Sequence, residues 1–433
     1  MLIYNYPSKE LDEKLQIISN RCININSDDF AKVNQIIEEV KKHGDKALIE
    51  FVKKFDSPEL TIESLKVSDE EINIAKKEVD EDLKKSIAIA ASNIETFHKR
   101  QLEKSWFTMD RDGTFLGQIV NSVNSAGVYV PGGKGGTTPL VSSVLMGAIP
   151  AKIAGVENII MATPSRKDGT INPNLLFAAQ TAGIKNIFKV GSAWAIAAMA
   201  FGTNTIPKVD IIVGPGNIYV TIAKKIVSGI VGIDMIAGPS EILVIADKTA
   251  HPDFIAADLI SQAEHDEMAS SILITTSKAI AKQTLESLEK QINTLARKEI
   301  AAKSLKTYGA IILVQNIDEA FSISNKIAPE HLELQISSPY ESLGKIKNAG
   351  AVFIGNFTPE PIGDYIAGPN HVLPTASTAR FSSALSVKHF IKRTSVVGYS
   401  EKAFKKEAND VIRLAEIESL HGHAYSVKVR MQN

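Results

Sequence analysis

Apolar residues recur at helical spacing through the first quarter of the chain. Over Asp28–Phe55 they fall near every third or fourth position, which is typical of amphipathic helices. Another helix is predicted to begin at Ser68, where Glu70 and Glu71 would interact favourably with the helix dipole in the first turn. Residues 1–125 are therefore predicted to be mostly helical. We expect this region to be a packing or dimerisation arm that packs with the second of two α/β units.

From Gly127 onward, short β-branched runs alternate with alanine-rich helical runs. The strands predicted in this first α/β unit, residues 126–238, are Gly127–Val130, Asn158–Ala162, Asn186–Val190 and Val209–Val213. The helices predicted between and after them are Pro139–Ala154, Asn174–Ala182, Ser192–Ala200 and Ile218–Val227. This alternation predicts a parallel sheet with helices on both faces.

A second series of the same kind occupies residues 239–380. Its predicted strands are Glu241–Ala246, Ser271–Thr275, Gly309–Val314, Leu332–Ile336 and Ala351–Ile354. Its predicted helices are Pro252–Glu264, Lys278–Arg297 and Ile317–Ile327. The fold class is therefore predicted to be α/β, with two Rossmann-like parallel-sheet units. Residues 356–383 are predicted to be loop-like, and the C-terminal tail, 381–433, to contain an amphipathic helix over Glu401–Leu420.

Composition narrows the possible functions. The 433 residues are 44% hydrophobic and 22% charged, as in ordinary globular proteins, with a net charge of −1. This near-neutral balance argues against nucleic acid or an anionic membrane as a partner. Apolar runs are too short for a membrane span or a signal peptide. The single cysteine, Cys22, cannot form an intramolecular disulfide, so a cytoplasmic location is expected.

Two glycine-rich turns follow predicted strands. They are Val130–Gly136 and Gly214–Asn217, and neither matches a P-loop or a G-x-G-x-x-G pattern. Glycine lets a backbone approach a phosphate or a ring closely, and a following helix N-terminus attracts anions. Each turn alone is equally compatible with a tight strand-to-helix connection. Their position after strands favours a ligand site.

Several polar residues in the second half could form a metal site. Gln262 and His265 are three residues apart near the end of a predicted helix, so they would share a helix face. Asp364 lies in the loop-like segment, and the tail helix ends near His423. These mixed oxygen and nitrogen donors would suit zinc or a similar divalent ion. Taken alone, the Gln262/His265 pair is better explained as a hydrated helix end, and His423 as a solvated terminal histidine.

Glu330 and His331 form an adjacent acid–imidazole pair just before a predicted strand. In a turn, both side chains could reach one cavity and transfer protons near neutral pH. Surface polarity is the alternative explanation. His371, in the loop-like segment, could donate to a carboxylate or a hydroxyl group.

Ordered motifs along the chain resemble those of the histidinol dehydrogenase family from about residue 10 to the C-terminus. The matching segments are Val128–Gly133, Gly214–Asn217, Asp234–Glu241, Gln262–His265, Ala328–Leu332, Gly363–Tyr365 and Asn370–Pro374, together with Glu418 five residues before His423. The resemblance implies a cytoplasmic enzyme that catalyses the last step of histidine biosynthesis. Such enzymes oxidise L-histidinol through L-histidinal to L-histidine with two NAD⁺, a four-electron oxidation.

The resemblance also implies a homodimer with one zinc ion in each active site. Its zinc ligands correspond to Gln262, His265, Asp364 and His423, the last contributed by the partner subunit through the C-terminal tail. These four side chains also surround the substrate. The further substrate contacts correspond to Ser240, His331, His371 and Glu418. His331 would accept the proton of the alcohol, and Glu330 would deprotonate the water that attacks the aldehyde.

The NAD contacts implied by the resemblance are Tyr129 and Asn217. A third family contact is a glutamine, and this chain has Trp194 in its place. An indole can stack on a ring or form a wall, but it has no carbonyl acceptor. Lys134 stands where smaller uncharged residues are frequent in the family, and it could meet the cofactor phosphates or solvent.

Two other functions are compatible with these patterns. One is a relative of the same fold that oxidises a different small alcohol, although the retained His371 and Glu418 favour a substrate with an imidazole and an amine. The other is a metal- or nucleotide-binding protein without catalysis, which would tolerate changes at Glu330 and His331.

Overall fold

The computed structural model describes residues 1–21, 26–133 and 138–432. Cys22 and Lys134 lie outside the described residues. The strands, in chain order, are β1 Ile3–Asn5, β2 Trp106–Arg111, β3 Thr114–Ser122, β4 Ser125–Tyr129, β5 Asn158–Thr163, β6 Asn186–Lys189, β7 Ile211–Val213, β8 Gly232–Ile233, β9 Glu241–Ala246, β10 Ser270–Thr275, β11 Ala310–Leu313, β12 His331–Gln335, β13 Ala351–Ile354 and β14 Ile391–Gly398.

The helices are α1 Lys9–Asn20, α2 Ser27–His43, α3 Asp45–Phe55, α4 Asp69–Glu78, α5 Glu81–Lys99, α6 Val141–Ala154, α7 Pro173–Ala182, α8 Ser192–Phe201, α9 Ile218–Val227, α10 Pro252–Ala263, α11 Lys278–Gln291, α12 Lys298–Tyr308, α13 Ile317–Ile327, the single turn α14 Glu360–Ile362, α15 Glu401–Ile417 and α16 His421–Met431. A π-helical turn, Gly363–Ala367, follows α14.

The chain forms two compact units. The first contains Met1–Gln101 and Asn124–Phe390, and the second contains Leu102–Val123 and Ile391–Asn433. The second unit holds an antiparallel sheet in the order β14-β3-β2, together with α15 and α16. The division of the chain into 1–125, 126–238, 239–380 and 381–433 stays a prediction.

Both parallel sheets of the first unit have the same connectivity. The five-stranded sheet has the order β6-β5-β4-β7-β8, and the six-stranded sheet has the order β1-β11-β10-β9-β12-β13. In each, the first strand of the series lies centrally, the next two extend to one side, and the fourth and fifth extend to the other. All described pairings in these sheets are parallel. The predicted α/β class with two Rossmann-like units is confirmed.

Apolar strand sequences account for the position of the core. Every residue of β9 and β10 is buried, because helices cover both faces of the sheet. One core cluster packs around the five-stranded sheet and α8, and two further clusters contain apolar residues of the six-stranded sheet. Helix α8 is buried along nearly its whole length, which agrees with its alanine-rich sequence.

The N-terminal region divides between the two sheets. We expected residues 1–125 to be mostly helical and to pack with the second α/β unit. Strand β1 pairs with β11, and α1 contributes to the core of the six-stranded sheet, as expected. Helices α2 to α5 contact α6 to α9 around the five-stranded sheet, and α5 also contacts the π-helical turn Gly363–Ala367.

The antiparallel pair β2 and β3 also departs from the mostly helical prediction. Asp112 and Gly113 both have positive φ values, 47° and 82°, in the tight turn that joins the two strands. An Asp-Gly pair favours such hairpin turns because glycine adopts positive φ without strain. Helices α12 and α16 were likewise not predicted as separate elements.

Within the part of the chain that the structure describes, no helix is both long enough and apolar enough to span a lipid bilayer.

Candidate active site

The candidate residues lie at opposite edges of the two parallel sheets. Tyr129 ends β4 and Gly214 follows β7, at the carboxyl edge of the five-stranded sheet. Glu330 precedes β12, His331 opens it, and Glu241 opens β9, at the amino edge of the six-stranded sheet. Each strand pair flanks the point where strand order reverses. Ligands of open α/β sheets usually bind beside such a point, at the carboxyl ends of the strands. Tyr129 and Gly214 follow this rule, whereas the residues at the amino edge of the six-stranded sheet do not.

The Gly214 turn is held by the connection between the two sheets. The backbone N–H of Gly214 donates to Asp234 Oδ2 at 2.7 Å, and Lys224 Nζ donates to the Gly214 carbonyl at 2.9 Å. Lys224 and Asp234 also form a buried ion pair. Gly214 has a φ of 119°, and a Cβ atom there would collide with the Tyr129 carbonyl. The backbone conformation of this turn therefore requires glycine.

A cavity of about 350 Å³ lies at this carboxyl edge. Its lining includes Tyr129, Asn217, Ser192, Trp194 and Asp56. The hydroxyl of Tyr129 accepts a hydrogen bond from the Ser192 backbone N–H at 3.0 Å, and Asn217 Oδ1 caps α9 by accepting from the Val220 N–H at 3.2 Å. The three cofactor residues predicted from the sequence thus line one cavity.

Trp194 is a wall of this cavity and part of the core. Its indole stacks on Phe55 at a centroid distance of 5.3 Å and on Phe51 at 5.8 Å. Its Nε1 donates to Asp56 Oδ2 at 3.3 Å. The polar atom of the indole is therefore directed at a protein carboxylate.

Replacing Asp56 with asparagine is expected to stabilise the protein, and more so at pH 8 than at pH 5. Burial raises the pKa of Asp56 from 3.8 to about 6, against the opposing effect of the Trp194 hydrogen bond. A carboxyl group with a raised folded-state pKa favours folding below its ordinary pKa, and this contribution is lost as the pH rises through the folded-state value. The gain from Asp56→Asn should be about 1 kcal/mol larger at pH 8, measured by thermal unfolding.

Asp247 provides a control of opposite sign. Although burial opposes the effect, hydrogen bonds from Thr249 and Ser337 lower the pKa of Asp247, so its charge stabilises the folded state above the ordinary pKa. Asp247→Asn should therefore reduce the unfolding temperature at pH 8. Equal gains from Asp56→Asn at the two pH values would contradict the prediction.

Glu330 and His331 are both buried and are tied to the start of β9. Glu330 Oε2 accepts from the Glu241 backbone N–H at 2.8 Å. His331 Nδ1 lies 2.8 Å from the Glu241 carbonyl oxygen, which can only accept, so Nδ1 carries the proton. His331 Nε2 is then an acceptor, and it is buried with no hydrogen-bond partner among the described residues.

Burial sets the protonation of this pair. It lowers the pKa of His331 to about 4, and the nearby imidazoles of His265 and His371 act in the same direction. Burial raises the pKa of Glu330 well above its ordinary value, and the Glu241 carboxylate adds to this effect. His331 is thus a neutral imidazole with a free acceptor nitrogen beside a strongly basic carboxyl group.

Two further carboxyl groups face His331 Nε2. Glu360 Oε1 lies 3.8 Å away and Asp364 Oδ1 lies 3.9 Å away. The three side chains offer ligand atoms within 4.8 Å of one another. Burial, followed by repulsion from Asp364, raises the pKa of Glu360 to about 8, and burial raises the pKa of Asp364 to about 6. Such crowded acidic groups suit a cation.

The predicted metal ligands Gln262, His265 and Asp364 belong to the first unit. Gln262 is buried, and its Oε1 has no hydrogen-bond partner among the described residues. The side chain of His265 is exposed. Beside the larger effect of burial, its imidazole acts to lower the pKa of both His331 and Glu360, so it lies near them. Asp364 and His265 therefore lie close to the acid–imidazole pair, and Gln262 precedes His265 by three residues in the chain.

The remaining predicted substrate contacts are distributed over both units. Ser240 directly precedes β9 and is half-buried. His371 Nδ1 lies 3.8 Å from Asp364 Oδ2, and its Nε2 is buried and unpartnered within the described chain. Glu418 and His423 lie in the second unit, on either side of the α15–α16 turn, and both are exposed. That His423 completes the metal site stays a prediction.

Two carboxyl groups were missed by the sequence interpretation. Glu360 precedes Asp364 by four residues, which places both on one face of a helical turn, and this spacing could have indicated it. Glu241 lay within a quoted motif without an assigned role, because its contacts depend on strand pairing. The strained turn before Glu330, where Ala328 has a φ of 54°, also has no sequence signal.

Comparison with known proteins identifies the family. A family model described as histidinol dehydrogenase matches residues 21–431. The chain belongs to the histidinol dehydrogenase family. It is 55% identical to the histidinol dehydrogenase of Caldanaerobacter subterraneus subsp. tengcongensis over 96% of each chain. It is also 54% identical to that of Nitratidesulfovibrio vulgaris, covering 92% of this chain and 91% of the relative.

A solved histidinol dehydrogenase has the same fold. The crystal structure of the enzyme from Elizabethkingia anophelis matches 100% of this chain and 98% of its own chain, with a TM-score of 0.93 and 41% identity. As a member of the histidinol dehydrogenase family, this chain is an oxidoreductase of histidine biosynthesis. The predicted family and enzyme class are confirmed.

Proposed function

We propose that this chain oxidises L-histidinol through L-histidinal to L-histidine with two NAD⁺ and one zinc ion per site. The observation that carries this proposal is the buried Glu330–His331 pair, with Asp364 Oδ1 at 3.9 Å from His331 Nε2. A neutral imidazole and a basic carboxyl group in one enclosed site can serve two successive oxidations, each of which needs a proton acceptor.

His331 acts in the first oxidation. Its Nδ1 is engaged with the Glu241 carbonyl, so Nε2 is left to accept the hydroxyl proton as hydride leaves the carbinol carbon for NAD⁺. Because the ring is held by that hydrogen bond and lies 5.8 Å from the Phe353 ring, its acceptor nitrogen keeps one orientation.

Glu330 acts in the second oxidation. The carboxylate removes a proton from water as the water oxygen attacks the aldehyde carbon of histidinal, and the proton that His331 took from the alcohol passes to the carbonyl oxygen, which gives the hydrate. One hydroxyl group of the hydrate returns a proton to His331 as hydride leaves for a second NAD⁺, which gives the carboxylic acid. The raised pKa of Glu330 makes it a stronger base than an exposed glutamate, as this step requires.

The residues present fit a zinc ion. Gln262 Oε1 is a buried oxygen without a partner among the described residues, and Asp364 lies among crowded acidic groups beside His331. We propose that the ion is held by Gln262, His265, Asp364 and His423. When bound, zinc supplies a positive template for the imidazole and amino groups of the substrate and offsets the local carboxylates. Ser240, His371 and Glu418 are proposed to contact the substrate.

The cavity at the carboxyl edge of the five-stranded sheet fits part of NAD. Tyr129 and Asn217 line it, together with Gly132 and Gly133 of the first glycine-rich turn. We propose that these two side chains contact the cofactor, with Trp194 as an apolar wall in place of a hydrogen-bonding glutamine.

We propose a homodimer in the cytoplasm, with each site completed by the partner subunit. Exposed apolar side chains on the second unit support a subunit contact there. Leu414 and Ile417 of α15 are 64% and 75% exposed, and Tyr425 of α16 is 67% exposed. Large exposed apolar patches of this kind mark interaction sites.

Mixing two inactive variants should restore activity. If His423 acts across the dimer, a His423→Ala subunit and a His331→Gln subunit form a heterodimer in which one site carries both defects and the other carries none. After subunit exchange, about a quarter of wild-type activity is expected, because about half of the dimers are mixed and each has one intact site. The measurement is NADH formation after co-refolding or incubation.

Mass spectrometry of the intact dimers provides the exchange control for this experiment. Proven exchange without recovered activity would show that His423 does not act in the partner's site.

NADH production from L-histidinol tests the proposed function. Zinc-loaded protein should form two NADH per histidinol, and a chelator should stop the reaction until zinc is restored. Other small amino alcohols without an imidazole serve as control substrates. No turnover of L-histidinol by the metal-loaded protein, or equal turnover of the control substrates, would reject the proposal.

A further inference from the structure

Glu241 contacts both members of the acid–imidazole pair through its backbone. Its N–H donates to Glu330 Oε2 at 2.8 Å, and its carbonyl accepts from His331 Nδ1 at 2.8 Å. The position of the Glu241 backbone therefore determines where the Glu330 carboxylate lies. It also determines which nitrogen of His331 carries the proton.

The Glu241 side chain closes a second set of contacts around the same turn. Its Oε2 accepts from the Glu330 backbone N–H at 3.2 Å, and its Oε1 accepts from the Ala376 N–H at 3.1 Å. Glu241 and Glu330 thus exchange reciprocal hydrogen bonds, each from backbone N–H to side-chain carboxylate. Two buried carboxyl groups so close together require a compensating charge.

Arg21 supplies that charge. Its guanidinium forms an ion pair with Glu241 Oε1, and the two side chains are only 2% and 7% exposed. The guanidinium also donates to the carbonyl of Ile18 and, from Nε at 3.1 Å, to the carbonyl of Met268. Its donors on Nε, Nη1 and Nη2 are therefore all engaged, so the cation is fixed in one orientation.

We propose that Arg21 and Glu241 are positioning residues that hold Glu330 and His331 in their reactive arrangement. The chain of contacts runs from Arg21, just after α1, through the Glu241 carboxylate to the Glu241 backbone. That backbone orients Glu330 and His331. Within the described part of the chain, Arg21 makes no hydrogen bond or ion pair with Glu330 or His331, and it acts on them through Glu241. Removing Arg21 leaves the Glu241 charge buried and unpaired, so the start of β9 must shift toward solvent or another donor.

The test compares Arg21→Met with the double variant Arg21→Met/Glu241→Gln, measured by steady-state NADH formation from histidinol. Because misplaced catalytic groups slow the reaction steps, Arg21→Met should lower kcat about 100-fold while KM for histidinol changes less than about threefold. The double variant removes the unpaired charge and keeps the Glu241 backbone contacts. It should recover about tenfold of the loss.

Glu71→Gln is the matched control. Glu71 is half-buried and pairs with the buried Lys189 at 2.6 Å, so this variant also leaves a buried charge without its partner, but away from the acid–imidazole pair. It should reduce the unfolding temperature and leave kcat within about twofold of wild type. Equal losses of kcat in Glu71→Gln and Arg21→Met, or no loss in Arg21→Met, would overturn the proposal. A double variant no faster than Arg21→Met would also overturn it.

The kinetic test rests on the proposed NAD-linked function. A second measurement tests the positioning role separately from that function. In protein labelled with ¹³C-histidine, the Cδ2 chemical shift reports which nitrogen of His331 is protonated, and His331→Gln identifies the signal. Wild type should show protonated Nδ1, and Arg21→Met should lose that preference. An inactive wild type with this tautomer change would reject the function and keep the positioning role. An unchanged tautomer in Arg21→Met would reject the positioning role.

Discussion

Replacing His331 with glutamine should lower kcat for histidinol oxidation about 1,000-fold and leave the zinc content of the protein unchanged. Glutamine fills a similar volume, but its amide cannot accept a proton as imidazole does. The neutral His331 ring, with its free Nε2, is the proposed acceptor for the alcohol proton. Stopped-flow measurement of the first NADH, with zinc quantified by mass spectrometry, checks both parts.

The metal content also distinguishes two arrangements of the site. His331, Glu360 and Asp364 place ligand atoms within 4.8 Å of one another, so His331 could itself hold the cation. Loss of zinc in His331→Gln would favour that set over Gln262, His265, Asp364 and His423. His98→Gln serves as the control, since His98 is fully buried and its Nδ1 contacts Gln101. It should retain zinc and turnover.

Replacing Glu330 with glutamine should block the second oxidation more than the first. The amide cannot remove a proton from water, so attack on the aldehyde should slow about 100- to 1,000-fold. His331 keeps its contact with the Glu241 carbonyl, so alcohol oxidation should continue. The yield should then fall from two NADH per histidinol toward one, with histidinal trapped by a carbonyl reagent.

Glu333→Gln controls for the loss of a buried carboxyl group from the strand that follows Glu330. Burial, with the neighbouring Asp258 carboxyl adding to it, raises the pKa of Glu333 well above its ordinary value, so a neutral amide resembles its native state. This variant should keep a yield of two NADH. An unchanged yield in Glu330→Gln would show that another group activates the water.

Buried strands were the elements that sequence alone located best. Strand β9 matches its predicted bounds, because a fully buried parallel strand is a short, nearly continuous apolar run with clear ends. The half-buried edge strand β13 also matches its predicted bounds. Strand β1 carries no such signal, since its three residues form a strand only by pairing with β11. Strand β14 is paired with β3 across nearly 270 residues of chain, and no local pattern reports such a partner.

Individual polar motifs in the sequence did not establish a site. The Gln262/His265 pair and the Glu330/His331 pair each had an ordinary surface explanation, and only the resemblance to a family joined them. Glu360 was visible as a residue four before Asp364, but nothing local showed that both face His331. Arg21 and Glu241 are 220 residues apart, so their ion pair exists only in the folded chain.

The sequence by itself determined the α/β class, most buried strands and the family, because these depend on local apolar periodicity and on short ordered motifs. Only the tertiary structure decided that the acid–imidazole pair lies at the amino edge of its sheet, and that Glu241 orients it. Those features arise from parallel pairing of β9 with β12 and from burial. Burial also sets the protonation of His331 and Glu330, since the free energy of a charge depends on all the surrounding chain.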